Sequence, residues 1–232
     1  MGGMSANTTI ERTRDERVRR LRSARLYFVC EARPGAGDPY PLLEAAVRGG
    51  VDVIQLREKA PRCAEELIAL SEPFRRIAAE SGVLFFLNDE PALVGACGAD
   101  GVHVGQDDAS VAAAREEAGP DALVGLSTHT PTQFDAALAA RGTARPDQVS
   151  AGPVWETPTK PGRPAAGLDL IRHAARTAPD EPWFAIGGID GSNIGEVRSA
   201  GATRAVVVRA IRDAGDPEAT ARDLRDALEA TA

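Results

Sequence analysis

Short apolar runs alternate with longer amphipathic stretches along most of the chain. The runs are almost continuously apolar, which is typical of strands in a parallel sheet that helices cover on both faces. Eight such runs follow one another and predict eight strands: Arg25–Cys30, Val51–Leu56, Leu84–Leu87, Gly101–Gly105, Ala122–Leu126, Gln148–Gly152, Trp183–Ile186 and Ala205–Val208.

The segments between the runs have helical patterns. In Ala64–Glu80 the apolar residues Leu67, Leu70, Phe74 and Ile77 recur at helical spacing and predict one buried helix face. The same pattern predicts helices over Pro41–Arg48, Val111–Glu117, Thr132–Ala140, Leu168–Thr177, Asn193–Ser199 and Pro217–Ala230.

Eight strand–helix units of about 25 residues indicate a single-domain α/β fold, a (β/α)₈ TIM barrel, over residues 23–232. A doubly wound open sheet is the alternative. The even repeat and the lack of a glycine-rich phosphate loop after the first run count against that alternative.

Composition argues against several classes of protein. Residues 1–22 are polar and have no apolar run after their basic stretch, so we expect a disordered extension that is helical near its end, and no secretory signal. No apolar run is long enough to predict a membrane span. The three cysteines are scattered, which favours reduced thiols and a cytoplasmic location. A net charge of −7 argues against a nucleic-acid partner, so an anionic substrate would need a local basic cluster.

Barrel enzymes carry their chemistry on the loops that follow the strands. After the second predicted strand, alternation points Gln55, Arg57 and Lys59 to one side. Two cations and an amide at a barrel mouth predict a phosphate or diphosphate clamp. The alternative is a surface salt-bridge cluster with Glu58.

Carboxylates follow the third and fourth predicted strands. Asp89 comes after Asn88, and Asp108 follows the fourth strand. Because the ends of adjacent parallel strands lie close together, the two carboxylates can share one cation, and Mg²⁺ favours this arrangement together with phosphate oxygens. Capping of the following helices is the alternative for each aspartate.

Ser127 and His129 follow the fifth predicted strand. The hydroxyl could bind phosphate or cap the next helix, whereas a nucleophilic serine lacks both an elbow motif and an orienting acid. His103, within the fourth apolar run, is interpreted as a hydrogen-bonded core or near-site histidine.

A long polar segment, Gly152–Gly162, follows the sixth predicted strand. Its Thr157, Thr159 and Lys160 offer hydroxyls and a cation, and loops of this length usually bind or cover something, although a plain linker is the alternative.

The seventh and eighth strands end near Gly188 and at Val208–Arg209. Loops at these positions commonly bind phosphate through backbone N–H groups in this fold.

Together these segments resemble the thiamine phosphate synthase family. The matching segments run in the family's order from the second to the eighth strand: QLREK (55–59), ND (88–89), GVHVGQDD (101–108), GLSTHT (125–130), GPVWETPTKPG (152–162), GGI (187–189) and VVVRAI (206–211). Two positions depart from the family pattern: Arg209 stands where a serine is usual, and Glu156 where a proline is frequent.

The resemblance implies an enzyme, a transferase that joins a hydroxymethylpyrimidine diphosphate to a thiazole phosphate and releases diphosphate. It implies small-molecule substrates, Mg²⁺ as cofactor and a possible homodimer. The pyrimidine diphosphate would contact Gln55, Arg57, Lys59, Asn88, Ser127 and Lys160. The thiazole phosphate would contact Thr157, Thr159, Gly188, Val208 and Arg209. Asp89 and Asp108 would bind Mg²⁺. The catalytic groups would be Arg57, Lys59, Ser127 and Lys160.

The chemistry of these residues suits a dissociative substitution, because neutralised diphosphate is a good leaving group. A thiazole tautomerase-like isomerase and a non-enzymatic phosphate-ligand sensor are rival hypotheses on the same barrel. Neither would need both the aspartates and Lys160. An epimerase-like isomerase is a weaker rival, because its metal-binding histidines are not apparent in the sequence.

Overall fold

The computed structural model describes residues 12–32, 37–58, 63–157 and 164–230. Eight parallel strands each pair with the next, and the eighth pairs with the first, which closes a barrel. The strands are β1 Leu26–Cys30, β2 Val53–Leu56, β3 Leu84–Asn88, β4 Gly101–Val104, β5 Leu123–Thr128, β6 Gln148–Ala151, β7 Trp183–Ile186 and β8 Ala205–Val207. The eight predicted strands and the single-domain (β/α)₈ TIM barrel are confirmed.

Helices surround the barrel. They are α1 Arg14–Ser23, α2 Tyr40–Arg48, α3 Ala64–Leu70, α4 Glu72–Ser81, α5 Val94–Cys97, α6 Val111–Ala118, α7 Pro131–Ala139, α8 Gly167–Thr177, α9 Ile194–Ser199, α10 Arg209–Arg212 and α11 Pro217–Glu229. Within the described ranges, no helix has the length and apolar character needed to cross a membrane. The single helix predicted over Ala64–Glu80 is wrong. The helix breaks at Ser71 because Pro73, in the first turn of α4, has no N–H to continue the hydrogen-bond ladder.

Alternate side chains of each strand are buried on opposite faces of the barrel wall. On β1, Leu26 and Phe28 pack under the helices, whereas Tyr27 and Val29 point into the barrel. Both faces of the barrel wall are therefore buried away from water, which explains the nearly continuous apolar runs. The interior cluster also contains Val53, Leu84, Phe86, Leu123, Phe184 and Val206.

The helix expected near the end of the N-terminal segment is present, and its packing on the barrel corrects the expectation of disorder for residues 12–22. Residues 1–11 lie outside the described part of the chain, but α1 packs across the N-terminal end of the barrel, with Leu21 in the interior cluster. Arg12 is buried and donates to Asp100 (2.6 Å), the Val83 carbonyl (3.1 Å) and the Ala78 carbonyl (2.6 Å). These acceptors lie far away in the sequence, so local composition could not show that the segment is ordered.

Three aspartates, each directly before an even-numbered strand, stabilise the N-terminal end of the barrel. Each carboxylate accepts a hydrogen bond from a backbone N–H of the preceding strand and pairs with at least one arginine. The three are Asp52, Asp100 and Asp147. With α1 and these ion pairs covering the N-terminal end, the C-terminal ends of the strands form the open mouth.

Arg12→Ala should lower the free energy of unfolding by about 3 kcal/mol, because it removes the three hydrogen bonds of a buried guanidinium and leaves the Asp100 carboxylate with Arg17 as its remaining arginine partner. Urea denaturation would measure the loss. Arg172→Ala is the matched control, since Arg172 makes an exposed pair with Asp169 that should contribute less than about 1 kcal/mol. Equal, small losses in both variants would show that the N-terminal segment does not stabilise the barrel.

Candidate functional site

A cavity of about 290 Å³ opens at the C-terminal ends of the strands. It brings together eight of the residues that the sequence nominated. These are Gln55, Arg57, Asn88, Ser127, Thr157, Gly188, Val208 and Arg209. Lys59, Thr159 and Lys160 lie outside the described residues.

Hydrogen bonds with residues of β1 position the residues of β2 that line the cavity. The amide Nε2 of Gln55 donates to the Tyr27 hydroxyl at 2.8 Å, and both side chains are buried. Burial raises the pKa of Tyr27, so the phenol stays neutral and keeps its proton as a hydrogen-bond donor. Arg57 continues the β1–β2 pairing beyond the strand, because its N–H donates to the Cys30 carbonyl at 2.9 Å. The backbone of Arg57 is therefore fixed at the rim, and its side chain lines the cavity.

A polar network crosses the upper barrel interior between β4, β5 and β6. His103 Nε2 lies 2.8 Å from Ser127 Oγ, and His103 Nδ1 lies 2.7 Å from Gln148 Nε2. Ser150 Oγ is 3.5 Å from the same Ser127 oxygen. His103 is thus both a buried core residue and a lining residue of the cavity, which agrees with its interpretation as a core or near-site histidine.

Sequence reasoning missed three polar residues here: Tyr27, Gln148 and Ser150. Each lies inside an apolar strand, and a polar residue in such a run is the signal that could have found it. The partner of Ser127 is His103 on the neighbouring strand, whereas sequence reasoning considered only the nearby His129.

The loop after β6 packs tightly on the loop after β7. The N–H of Val154 donates to the Ile186 carbonyl at 2.8 Å, and the N–H of Trp155 donates to the Gly187 carbonyl at 3.1 Å. Gly187 has a φ of 109°, and a Cβ there would lie 2.4 Å from the Cβ of Pro153. Only glycine permits this approach. The approach holds the loop against β7, and Thr157 lines the cavity with Gly188.

The ends of β7 and β8 form another part of the rim. Asn193 Nδ2 donates to the Gly188 carbonyl at 2.8 Å, and Asn193 Oδ1 accepts from the N–H of Asp190 at 3.0 Å. These bonds fix the Gly187–Gly188 turn. The short helix α10 starts at Arg209, directly after β8, without a side-chain cap. Arg209 is exposed at the mouth of the cavity.

Asp89 and Asp108 follow the ends of β3 and β4 and do not line the cavity. The N–H of Asp89 donates to the His103 carbonyl at 3.0 Å, and the carboxylate accepts from Asn88. Its φ of 64° is in the left-handed region, which aspartate tolerates better than most residues. The Asp108 carboxylate accepts from the N–H of Gly105 at 2.7 Å. The structure thus brings the two carboxylates to neighbouring strand ends.

No cluster of three or more His, Cys, Asp or Glu side chains that could hold a metal occurs within the described ranges. A cation at Asp89 and Asp108 would therefore take its remaining ligands from water and substrate. This donor set fits Mg²⁺, which usually binds one or two carboxylates together with phosphate oxygens and keeps several waters.

Comparisons with known proteins agree on one family. A family model described as thiamine monophosphate synthase matches residues 26–211. A thiamine-phosphate synthase of Arthrobacter is 47% identical over 231 residues, covering 91% of this chain and 97% of the relative. One from Thermus thermophilus is 52% identical over 207 residues, covering 88% and 97% respectively.

A solved structure supports the same grouping. The thiamine phosphate pyrophosphorylase from Pyrococcus furiosus superimposes with a TM-score of 0.78 at 27% identity, covering 90% of this chain and 97% of that one. The family match spans all eight strands and the loops that form the cavity. The chain therefore belongs to the thiamine monophosphate synthase family and is an enzyme, a transferase.

Proposed function

We propose that the cavity joins a hydroxymethylpyrimidine diphosphate to a thiazole phosphate, giving thiamine monophosphate and diphosphate. The observation that supports this most directly is that two sets of polar groups line one cavity: one comes from β2, β3 and β5, and the other follows β6, β7 and β8. Both sets lie on strand ends of a barrel whose family carries the name of this reaction product.

The first set would bind the diphosphate. Gln55, Arg57, Asn88 and Ser127 come from β2, β3 and β5 and offer a guanidinium, two amides and a hydroxyl. A planar guanidinium suits phosphate oxygens because it can donate two parallel hydrogen bonds. Lys59 and Lys160 are predicted to add two further cations.

The same set would hold Mg²⁺ through Asp89 and Asp108. Bound there, the ion would supply charge neutralisation for the departing diphosphate. The two aspartates would fix its position next to Asn88 and Gly105, with which their carboxylates form hydrogen bonds.

The second set would bind the thiazole phosphate. The turn at Gly188, the backbone at Val208 and the side chains of Thr157 and Arg209 line the cavity on the β6–β8 side. Glycine lets the backbone N–H groups come close to a phosphate. Thr159 is predicted to join this set. Arg209 would add a cation where the family pattern has a hydroxyl.

Substitution would proceed without a covalent enzyme intermediate. The bond between the pyrimidine methylene carbon and the diphosphate oxygen breaks, and its electron pair leaves with diphosphate. The thiazole nitrogen then donates its lone pair to the methylene carbon. Cys30, the last residue of β1, packs under the helices and does not line the cavity. Burial and, to a lesser extent, the Glu31 carboxylate raise the pKa of its thiol to about 12, so it does not offer a thiolate nucleophile. The chain contributes positioning and charge neutralisation.

Cytoplasmic location and a homodimeric state stay predictions of the sequence and of the family resemblance.

Arg57→Ala should weaken binding of the pyrimidine diphosphate by about tenfold to hundredfold, because charge-assisted hydrogen bonds contribute about 1.5–3 kcal/mol. Arg209→Ala should weaken binding of the thiazole phosphate instead. Titration calorimetry of each variant with each substrate in Mg²⁺ tests the division, and each variant serves as the control for the other. If both variants lose the same affinity for both substrates, the two-set assignment is wrong.

Asp89→Asn and Asp108→Asn should each raise the Mg²⁺ concentration at half-maximal turnover by about tenfold or more, because a carboxylate ligand loses its charge. Asparagine keeps the size of the side chain and tolerates the left-handed backbone of Asp89. Glu90→Gln changes the charge of the same exposed loop and should leave the Mg²⁺ requirement unchanged. An equal shift in all three variants would indicate a general charge effect and argue against metal ligation.

Lys160→Ala should lower turnover by about a hundredfold, since a cation that stabilises the leaving diphosphate acts in the transition state. The thermal unfolding midpoint should stay within error of the parent chain. Near-normal turnover of this variant would remove Lys160 from the mechanism.

A further inference from the structure

Gln148 is an unusual residue for the centre of a barrel. Only 1% of it is exposed, and its amide Nε2 lies 2.7 Å from Nδ1 of His103. Its Oε1 is buried and has no hydrogen-bond partner among the described residues. An amide that leaves one polar atom unsatisfied costs folding free energy that an apolar side chain would not. This cost suggests that the Gln148–His103 contact has a functional role.

The strand register makes room for this contact. His103 on β4 is level with Gly125 on β5, and Gly125 is level with Gln148 on β6. A Cβ at position 125 would lie 2.1 Å from Gln148 Nε2 and 2.5 Å from His103 Nδ1. The amide therefore reaches the ring across a strand that has no side chain at that level.

The contact determines which ring nitrogen carries the proton. An amide N–H donates, so Nδ1 of His103 must accept, and the single proton of the neutral ring is on Nε2. That N–H then donates to Ser127 Oγ, 2.8 Å away. Ser150 Oγ also donates to Ser127 Oγ, at 3.5 Å. With its oxygen accepting from two donors, Ser127 keeps its own proton for a third partner.

We propose that Gln148 is a positioning residue that holds His103 in the Nε2-protonated form, so that Ser127 donates its hydroxyl proton to an anionic ligand in the cavity. The identity of that ligand as the diphosphate group rests on the proposed function. The positioning itself rests only on the register, the distances and the cavity lining.

The opposite tautomer would give the serine a different chemistry. With the proton on Nδ1, Nε2 would accept the hydroxyl proton of Ser127, as a general base does for a nucleophilic serine. An acidic residue at position 148 would favour that form, because a carboxylate can only accept from Nδ1–H. The amide of Gln148 thus favours an anion-binding serine over a nucleophilic one.

Nitrogen-15 NMR of the full chain tests the positioning directly. The chain has three histidines, and a His103→Gln spectrum assigns the relevant signals. In the parent protein we expect a protonated Nε2 and an unprotonated Nδ1 on the neutral ring. A neutral ring protonated on Nδ1 would overturn the proposal, and this measurement needs no variant at position 148.

Gln148→Glu should move the proton of the neutral ring to Nδ1. It should also raise the dissociation constant for inorganic diphosphate with Mg²⁺ about tenfold or more, since a hydrogen bond to a charged group is lost. Ser150→Ala is the control: it removes the other donor to Ser127 Oγ and should leave the tautomer unchanged. A proton shift in Gln148→Glu without a change in diphosphate affinity would contradict the role.

Gly125→Ala provides a second route if Gln148→Glu does not fold, because the added methyl group would separate the amide from the ring. It should weaken diphosphate binding by a similar factor, and unchanged affinity with the ring contact broken would contradict the proposal.

Failure of the proposed function would give a different set of results. In that case the parent protein makes no thiamine monophosphate, while the ring still carries its proton on Nε2 and Gln148→Glu still weakens diphosphate binding.

Discussion

Closure of eight parallel strands into a barrel is the constraint on which the other features depend. In a closed barrel every second side chain of a strand must point into an interior that is only a few side chains wide. Tyr27, Phe86 and Phe184 fill much of that space with aromatic rings, and the ring of Tyr27 contacts the other two. In the described part of the chain, α1 and the aspartate–arginine pairs cover the N-terminal end, and the cavity opens at the C-terminal mouth.

The register of the barrel strands determines which side chains meet in the site. Because the strand register fixes which residues are level, His103 and Gln148 meet at one level across Gly125, and Ser127 and Ser150 meet two residues further along. Gln55 is level with Val29 on β1, and its amide reaches back to the hydroxyl of Tyr27, two residues earlier. The strands therefore hold the lower part of the site rigidly, while the loops after β6, β7 and β8 form its other side.

The sequence predicted features that depend on nearby residues. The eight strands were found because alternation and apolar character are local, and Gln55 and Arg57 were placed on one side of β2 for the same reason. It did not predict that Arg12 contacts Asp100, because that contact joins residues 88 positions apart. The Gln148–His103 contact was missed likewise, since it requires the register of three strands and the empty space at Gly125. The helix break at Ser71 was predictable from Pro73, but the apolar periodicity around it suggested a continuous helix.

The central claim is that one cavity binds two phosphorylated substrates and joins them. Incubation of the full chain with the pyrimidine diphosphate, the thiazole phosphate and Mg²⁺ tests it most directly, with diphosphate and thiamine monophosphate quantified together. The account predicts that both products form in equal amounts and that neither forms when one substrate is omitted. Binding of the thiazole phosphate without formation of either product would contradict the account.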